Sequence, residues 1–127
     1  MKFEDLNAWK RAARLCADIY RSFQGSRDFG FRDQITRSSL SIASNIAEGY
    51  ERDSMKEKSR FLSYAKGSCG ELRTQIYIGM EIGYIGKEQG KQWAEETREL
   101  SRMLYALMKG AREQDIKGQG NQDRGTP

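Results

Sequence analysis

Apolar side chains return at alternating spacings of three and four in four separate stretches of this chain, and that rhythm admits amphipathic helices and little else. In residues 4–24 the row is Leu6, Trp9, Ala13, Cys16, Tyr20 and Phe23, broadened by Ala12, Leu15 and Ile19 into a wide buried face. Lys10, Arg11, Arg14, Asp18 and Arg21 are left toward water. In residues 31–50 the row is Ile35, Ser39, Ile42 and Ile46, with Leu40, Ala43 and Ala47 beside it. This second stretch is rich in serine, a weaker helix former than alanine, so packing must help to hold it; Gly49 reads as its end signal.

Ser54 and Glu57 form a capping-box pattern that opens the third helix, expected over 54–82 with Phe61, Ala65, Cys69, Leu72, Ile76 and Met80 inward. Gly67, Gly70 and Gly79 each cost about 1 kcal/mol of helix propensity, which a tight crossing against a neighbour would offset; a bend in the helix is the competing reading. The fourth helix, expected over 88–112, carries Trp93, Leu100, Leu104, Leu107 and Ala111 on one face. No β-alternation competes over a comparable length. The expected fold is therefore all-α, an antiparallel up-down four-helix bundle over residues 1–112. Residues 113–127 hold one aliphatic residue, Ile116, and are expected to form a flexible C-terminal tail. With 127 residues, of which 37% are hydrophobic, the chain fills one core and not two.

Much chemistry is excluded by what the chain lacks. There is no histidine, which removes the commonest acid–base group near neutral pH and every histidine-containing metal site. Two cysteines, Cys16 and Cys69, are too few for an all-thiolate zinc site and both fall in apolar rows, where they read as reduced core residues. No phosphate-binding glycine loop is present. The expectation is a protein with no catalytic, metal or cofactor-binding residues, and no enzyme. The charged N-terminus does not resemble a secretory signal, and no apolar run is long enough for a membrane span, so a cytoplasmic protein is expected.

Two polar sets stand out. On the second helix, Arg37, Ser41, Ser44 and Glu48 share a face with Asn45 at its edge. Arg37 and Glu48 are about 16 Å apart along the axis, too far to pair with each other. The structural reading is an interhelix network with ion pairs to neighbouring helices; the functional reading is contact of Arg37 and Asn45 with RNA, DNA or a protein. The structural reading is the weightier. The second set is basic: Lys10, Arg11 and Arg14, continued by Arg21, outside the stripe led by Trp9, with Lys56, Lys58, Arg60 and Lys66 as a further group. The net charge is +4, and its excess sits in residues 1–66. Acids are interspersed and no base-reading motif is visible, so any nucleic-acid contact would be weak, electrostatic and non-specific. Trp9 and Trp93 read as core or interface anchors.

At residues 34–49, QITRSSLSIASNIAEG, the chain closely resembles the bacterial four-helix bundle family often called the 23S ribosomal RNA intervening-sequence protein family, also labelled S23 ribosomal protein. The match runs through Gln34, Arg37, Ser41, Asn45, Ile46, Ala47, Glu48 and Gly49. Phe3, Leu6 and Trp9 match its opening. Arg60, Phe61, Leu62, Ala65, Gly67, Ser68, Glu71 and Leu72 match a later block, followed by Gln75 and Gly83-Tyr84-Ile85. Ser38 departs from the alanine of many relatives, and the tail has no counterpart. The resemblance implies an antiparallel bundle assembling as a homopentamer, with some relatives encoded inside intervening sequences of 23S ribosomal RNA genes. More distant relatives resemble a basic pentameric accessory protein that associates with reverse transcriptase and nucleic acid. The functional expectation is a non-catalytic oligomeric adaptor with weak nucleic-acid affinity; a protein-binding scaffold without nucleic-acid contact comes second, and an enzyme third.

Overall fold

The structure, a computed structural model, describes the backbone of residues 1–125 and the side chains of residues 1–118. After a short 3-10 turn at Phe3–Asp5, the chain forms four helices: α1 Asn7–Ser22, α2 Phe29–Glu51, α3 Met55–Glu81 and α4 Lys87–Gly125. They make an antiparallel four-helix bundle, with no strand among the described residues. Packing runs α1 on α2, α2 on α3 and α3 on α4, and α1 closes the bundle by a lighter contact with α4.

The core consists of the expected rows. Ile19, Ile35, Ile42, Ile46, Leu62, Leu72, Ile76, Leu100 and Leu104 are fully buried, and Trp93 is nearly so. Cys16 and Cys69 are both buried and free. Burial pushes the Cys69 thiol up to about 11 and raises that of Cys16 as well. Tyr20 and Leu40, placed in apolar rows by spacing, are instead 43% and 48% exposed, because both stand at the open rim between α1 and α2. Trp9 is half-buried, its ring edge-on to Phe3 at 5.2 Å.

Local chemistry explains the helix ends. Asp28 caps α2, accepting from the Phe31 backbone N–H at 3.1 Å through one carboxylate oxygen and from the Tyr84 hydroxyl at 2.8 Å through the other. Ser54 caps α3 by accepting from the Glu57 N–H at 3.0 Å, but Glu57 does not complete the capping box; its carboxylate turns to Arg60, 3.0 Å away. Helix α3 ends at Glu81 and the chain turns at Gly83, whose φ of 83° only glycine adopts easily. There the Tyr84 N–H reaches the Gly79 carbonyl at 2.8 Å and the Gly83 N–H that of Met80 at 3.3 Å, a complete Schellman closure.

Three expectations about backbone are corrected. Gly49 lies within α2 and does not end it; a Cβ there would sit 3.1 Å from Phe61 Cβ and 3.2 Å from the Lys58 carbonyl oxygen. Of the three α3 glycines, only Gly79 is crowded, a Cβ meeting Ile85 at 2.5 Å and Phe31 at 3.2 Å, whereas Gly67 and Gly70 face open space. The end expected at Arg112 is passed, since α4 continues to Gly125. Once Met108 and Ala111 anchor the helix, each further residue adds a hydrogen bond for one residue fixed, and Glu113 and Lys117 are spaced for mutual attraction. Of the stretch expected as a tail, residues 126–127 lie outside the described residues.

The glycines make a paired prediction. Gly67→Ala should stabilise the isolated chain by about 0.5–1 kcal/mol, since it restricts the unfolded backbone and meets nothing. Gly79→Ala should destabilise it by about 1–3 kcal/mol through overpacking against Ile85. Urea unfolding of both variants checks the opposite signs.

Candidate functional site

The motif face of α2 divides into an inward and an outward half. Ser41 and Asn45 turn toward α3: the Asn45 Nδ2 donates to the Ser41 carbonyl and to the Ser41 Oγ, both at 2.9 Å. Ser41 Oγ in turn lies 2.9 Å from Ser68 Oγ, and the Ser68 hydroxyl donates to the Tyr64 carbonyl at 3.1 Å. This chain of bonds joins α2 to α3 and satisfies half-buried polar groups, the structural role weighed for Asn45. Two further hydroxyls close the α2 backbone on its other side. Thr36 donates to the Arg32 carbonyl at 2.7 Å, and Ser39, fully buried, donates to the Thr36 carbonyl at 2.8 Å.

Gln34, Arg37 and Glu48 point outward and are exposed. Glu48 accepts from Arg52 at 2.6 Å, a partner one turn along the same segment and not on a neighbouring helix as expected. Arg37 has no ion pair or hydrogen bond among the described residues. It lines an open cleft of about 480 Å³ between the end of α1 and the start of α2, together with Tyr20, Gln24, Arg32, Asp33, Thr36 and Leu40.

The basic set on α1 is also divided. Arg11 is held against α4 by Glu96: its Nε donates to one carboxylate oxygen at 3.0 Å and its Nη2 to the other. This two-pronged pairing raises the Arg11 pKa, with Glu96 as the main cause, and leaves little of the guanidinium for a ligand. Arg21 donates to Asp18 at 3.2 Å. Lys10 and Arg14 are exposed and carry no ion pair among the described residues. In the second basic group, Lys58 lies over the Tyr50 ring at 4.4 Å and Arg60 pairs with Glu57. On α4, Arg98 and Arg102 are taken up by Glu95 and Glu99. Helix-one spacing could not separate Arg11 from Arg14, because what separates them is a carboxylate on another helix.

An apolar groove adjoins the cleft. Phe3, Trp9, Ala13, Cys16, Leu40, Ala43, Ser44 and Ala47 line about 340 Å³ along α1 and α2, and Leu40 borders both hollows. Among the described residues, no three of Cys, Asp and Glu are grouped so as to hold a metal ion, and no helix is long and apolar enough to cross a membrane.

The node that sequence reading missed is Asp28 with Tyr84. It ties the α3–α4 turn to the first turn of α2, and Phe31 packs there between Phe23 and Tyr84 at ring distances of 5.8 and 5.4 Å. An aspartate three residues before Phe31 was the available signal.

Comparison with known proteins agrees with this architecture. A family model described as 23S rRNA-intervening sequence protein matches residues 4–106. Among solved structures, the chain is similar to a protein of unknown function from the S23 ribosomal protein family of Bacteroides thetaiotaomicron. The TM-score is 0.75 at 22% identity, over 80% of this chain and 98% of that one. No curated protein sequence matches.

The Phe31 N–H and the Tyr84 hydroxyl hold the Asp28 carboxyl below its ordinary value. A depressed carboxylate contributes stability above its unfolded pKa and loses it as pH falls through the folded one. Wild type should therefore lose thermal stability below about pH 4 more steeply than Asp28→Asn, which caps without a charge. Melting curves across pH 2–6 check the difference in slope.

Proposed function

The chain belongs to the 23S rRNA-intervening sequence protein family, and from that premise we propose a non-catalytic oligomeric adaptor that holds nucleic acid weakly and mainly through charge. The observation that carries this reading is the pair of cations left free on α1. Lys10 and Arg14 stand outward without a carboxylate partner among the described residues, while Arg11 pairs with Glu96 and Arg21 with Asp18. A net charge of +4 per chain supports attraction to phosphates, and repetition around a symmetric assembly would multiply it. The chain has no histidine, and both of its thiols are buried and held protonated, so the exposed cations of α1 are the more direct support for a binding role.

The assembly we propose is a homopentamer, as the family resemblance implies, in the cytoplasm. The apolar groove of Phe3, Trp9, Leu40, Ala43 and Ala47 supplies a surface suited to a neighbouring copy, since an exposed Leu40 and half-buried Trp9 gain from being covered. The same groove favours the second reading, a protein-binding scaffold that touches no nucleic acid. A reverse transcriptase is the protein partner that distant resemblance suggests.

A salt titration separates the readings. Wild type should bind single-stranded RNA at low salt and lose affinity steeply as salt rises. Replacing Lys10 and Arg14 with Gln, and keeping Arg11, should lower the log–log salt slope by about 1.4, two phosphate contacts at about 0.7 each. Helical content and light-scattering mass should stay unchanged, the mass near five times that of one chain. Absence of wild-type binding at low salt would put the scaffold ahead.

A further inference from the structure

In the cleft between the end of α1 and the start of α2, an arginine free among the described residues, a second arginine and an exposed aromatic ring meet. Arg37 enters it with no partner among the described residues. Arg32 enters beside it, tethered by a 3.4 Å bond from its Nη1 to the Gln24 carbonyl and lying 5.9 Å from the centre of the Phe29 ring. Tyr20 stands 43% exposed at the rim, although its place in the α1 apolar row would bury it. The volume of about 480 Å³ suits a small ligand and not a helix.

We propose that this cleft binds one nucleotide unit of a single-stranded RNA, with the phosphate on Arg37 and Arg32 and the base against the Tyr20 ring. The proposal rests on the nucleic-acid reading above and adds a contact in the α1–α2 cleft whose residues are distinct from Lys10 and Arg14. Guanidinium groups present flat pairs of N–H donors that match phosphate oxygens, and Arg37 gives up no internal bond to do so. An exposed tyrosine offers a stacking face that any base can use, so the contact needs no base-edge readout. Asp33 lines the same cleft and cuts its charge to that of a single cation, two arginines against one aspartate. A bare multivalent anion is thereby disfavoured. A ligand that brings hydroxyl donors beside its phosphate, as a ribonucleotide does, gives the Asp33 carboxylate something to accept from.

The test uses the full chain and a fluorescein-labelled mixed-sequence single-stranded RNA, read by anisotropy at low salt. Arg37→Gln should weaken binding and reduce the log–log salt slope by about 0.7, one phosphate contact on a single strand. Tyr20→Ala should weaken it about tenfold, with Tyr20→Phe close to wild type because the ring remains. Both side chains are exposed, so circular dichroism and mass should be unchanged. In a second measurement, RNA carrying 4-thiouridine is crosslinked and digested with trypsin; the label should fall on the peptide from Leu15 to Arg21. Wild-type binding that survives Arg37→Gln and Tyr20→Ala unchanged, or crosslinks confined to other peptides, overturns this site while leaving the adaptor reading standing. No wild-type binding and no crosslink at low salt overturns both.

Discussion

Helices α2 and α3 approach each other at a point where a single added methyl group would not fit without movement. The missing side chain of Gly49 leaves room for Phe61 Cβ and the Lys58 carbonyl, at 3.1 and 3.2 Å from where its Cβ would be. That proximity brings Ser41 opposite Ser68 farther along the same seam, close enough for their hydroxyls to bond at 2.9 Å. With Ser41 and Asn45 committed inward, the remaining polar residues of the α2 face, Arg37, Ser44 and Glu48, are left toward solvent. A close helix contact thus decides which polar residues are structural and which are displayed.

The opposite end of the bundle is governed by a different device. Asp28 holds the first turn of α2 and the hydroxyl of Tyr84 at once, so the start of one helix and the turn after another share a carboxylate. Phe23, Phe31 and Tyr84 pack around it. Arg32 and Arg37 lie one and two turns into the helix that this node anchors. Their positions relative to Tyr20 therefore inherit the rigidity of an aromatic cluster and do not depend on a loop.

Much of this was legible beforehand because burial follows periodicity. The isoleucines of α2 and the leucines of α3 and α4 went inside as their spacing requires. Tyr20 and Leu40 obeyed the same spacing and stayed at the surface, since a helical row says which residues share a face but not how far the neighbour reaches across it. Gly67 and Gly70 looked like contact glycines and meet nothing, because glycine content cannot report whether a neighbour is present. The division of the basic residues was illegible for a related reason. Arg11 and Arg14 are equivalent along α1, and only the arrival of Glu96 from α4 distinguishes them. The motif on α2 was visible as a motif, but its split into an inward half and an outward half is a property of the bundle.

The two buried thiols sit in different seams. Cys16 Sγ lies 3.5 Å from the Ser39 Oγ between α1 and α2, and Cys69 lies beside Ser101 between α3 and α4. A thiol held protonated and fully out of water, as Cys69 is, reacts with an alkylating reagent only when its seam opens, whereas Cys16 borders the open apolar groove. Helix α1 is the shortest of the four and touches α4 lightly, whereas α3 and α4 are the longest and pack extensively. Cys69 therefore lies in the more extensively packed seam. Without any engineered probe, the Cys69 labelling rate reports opening of the α3–α4 seam, and the Cys16 rate reports whether the groove on α1 and α2 is covered.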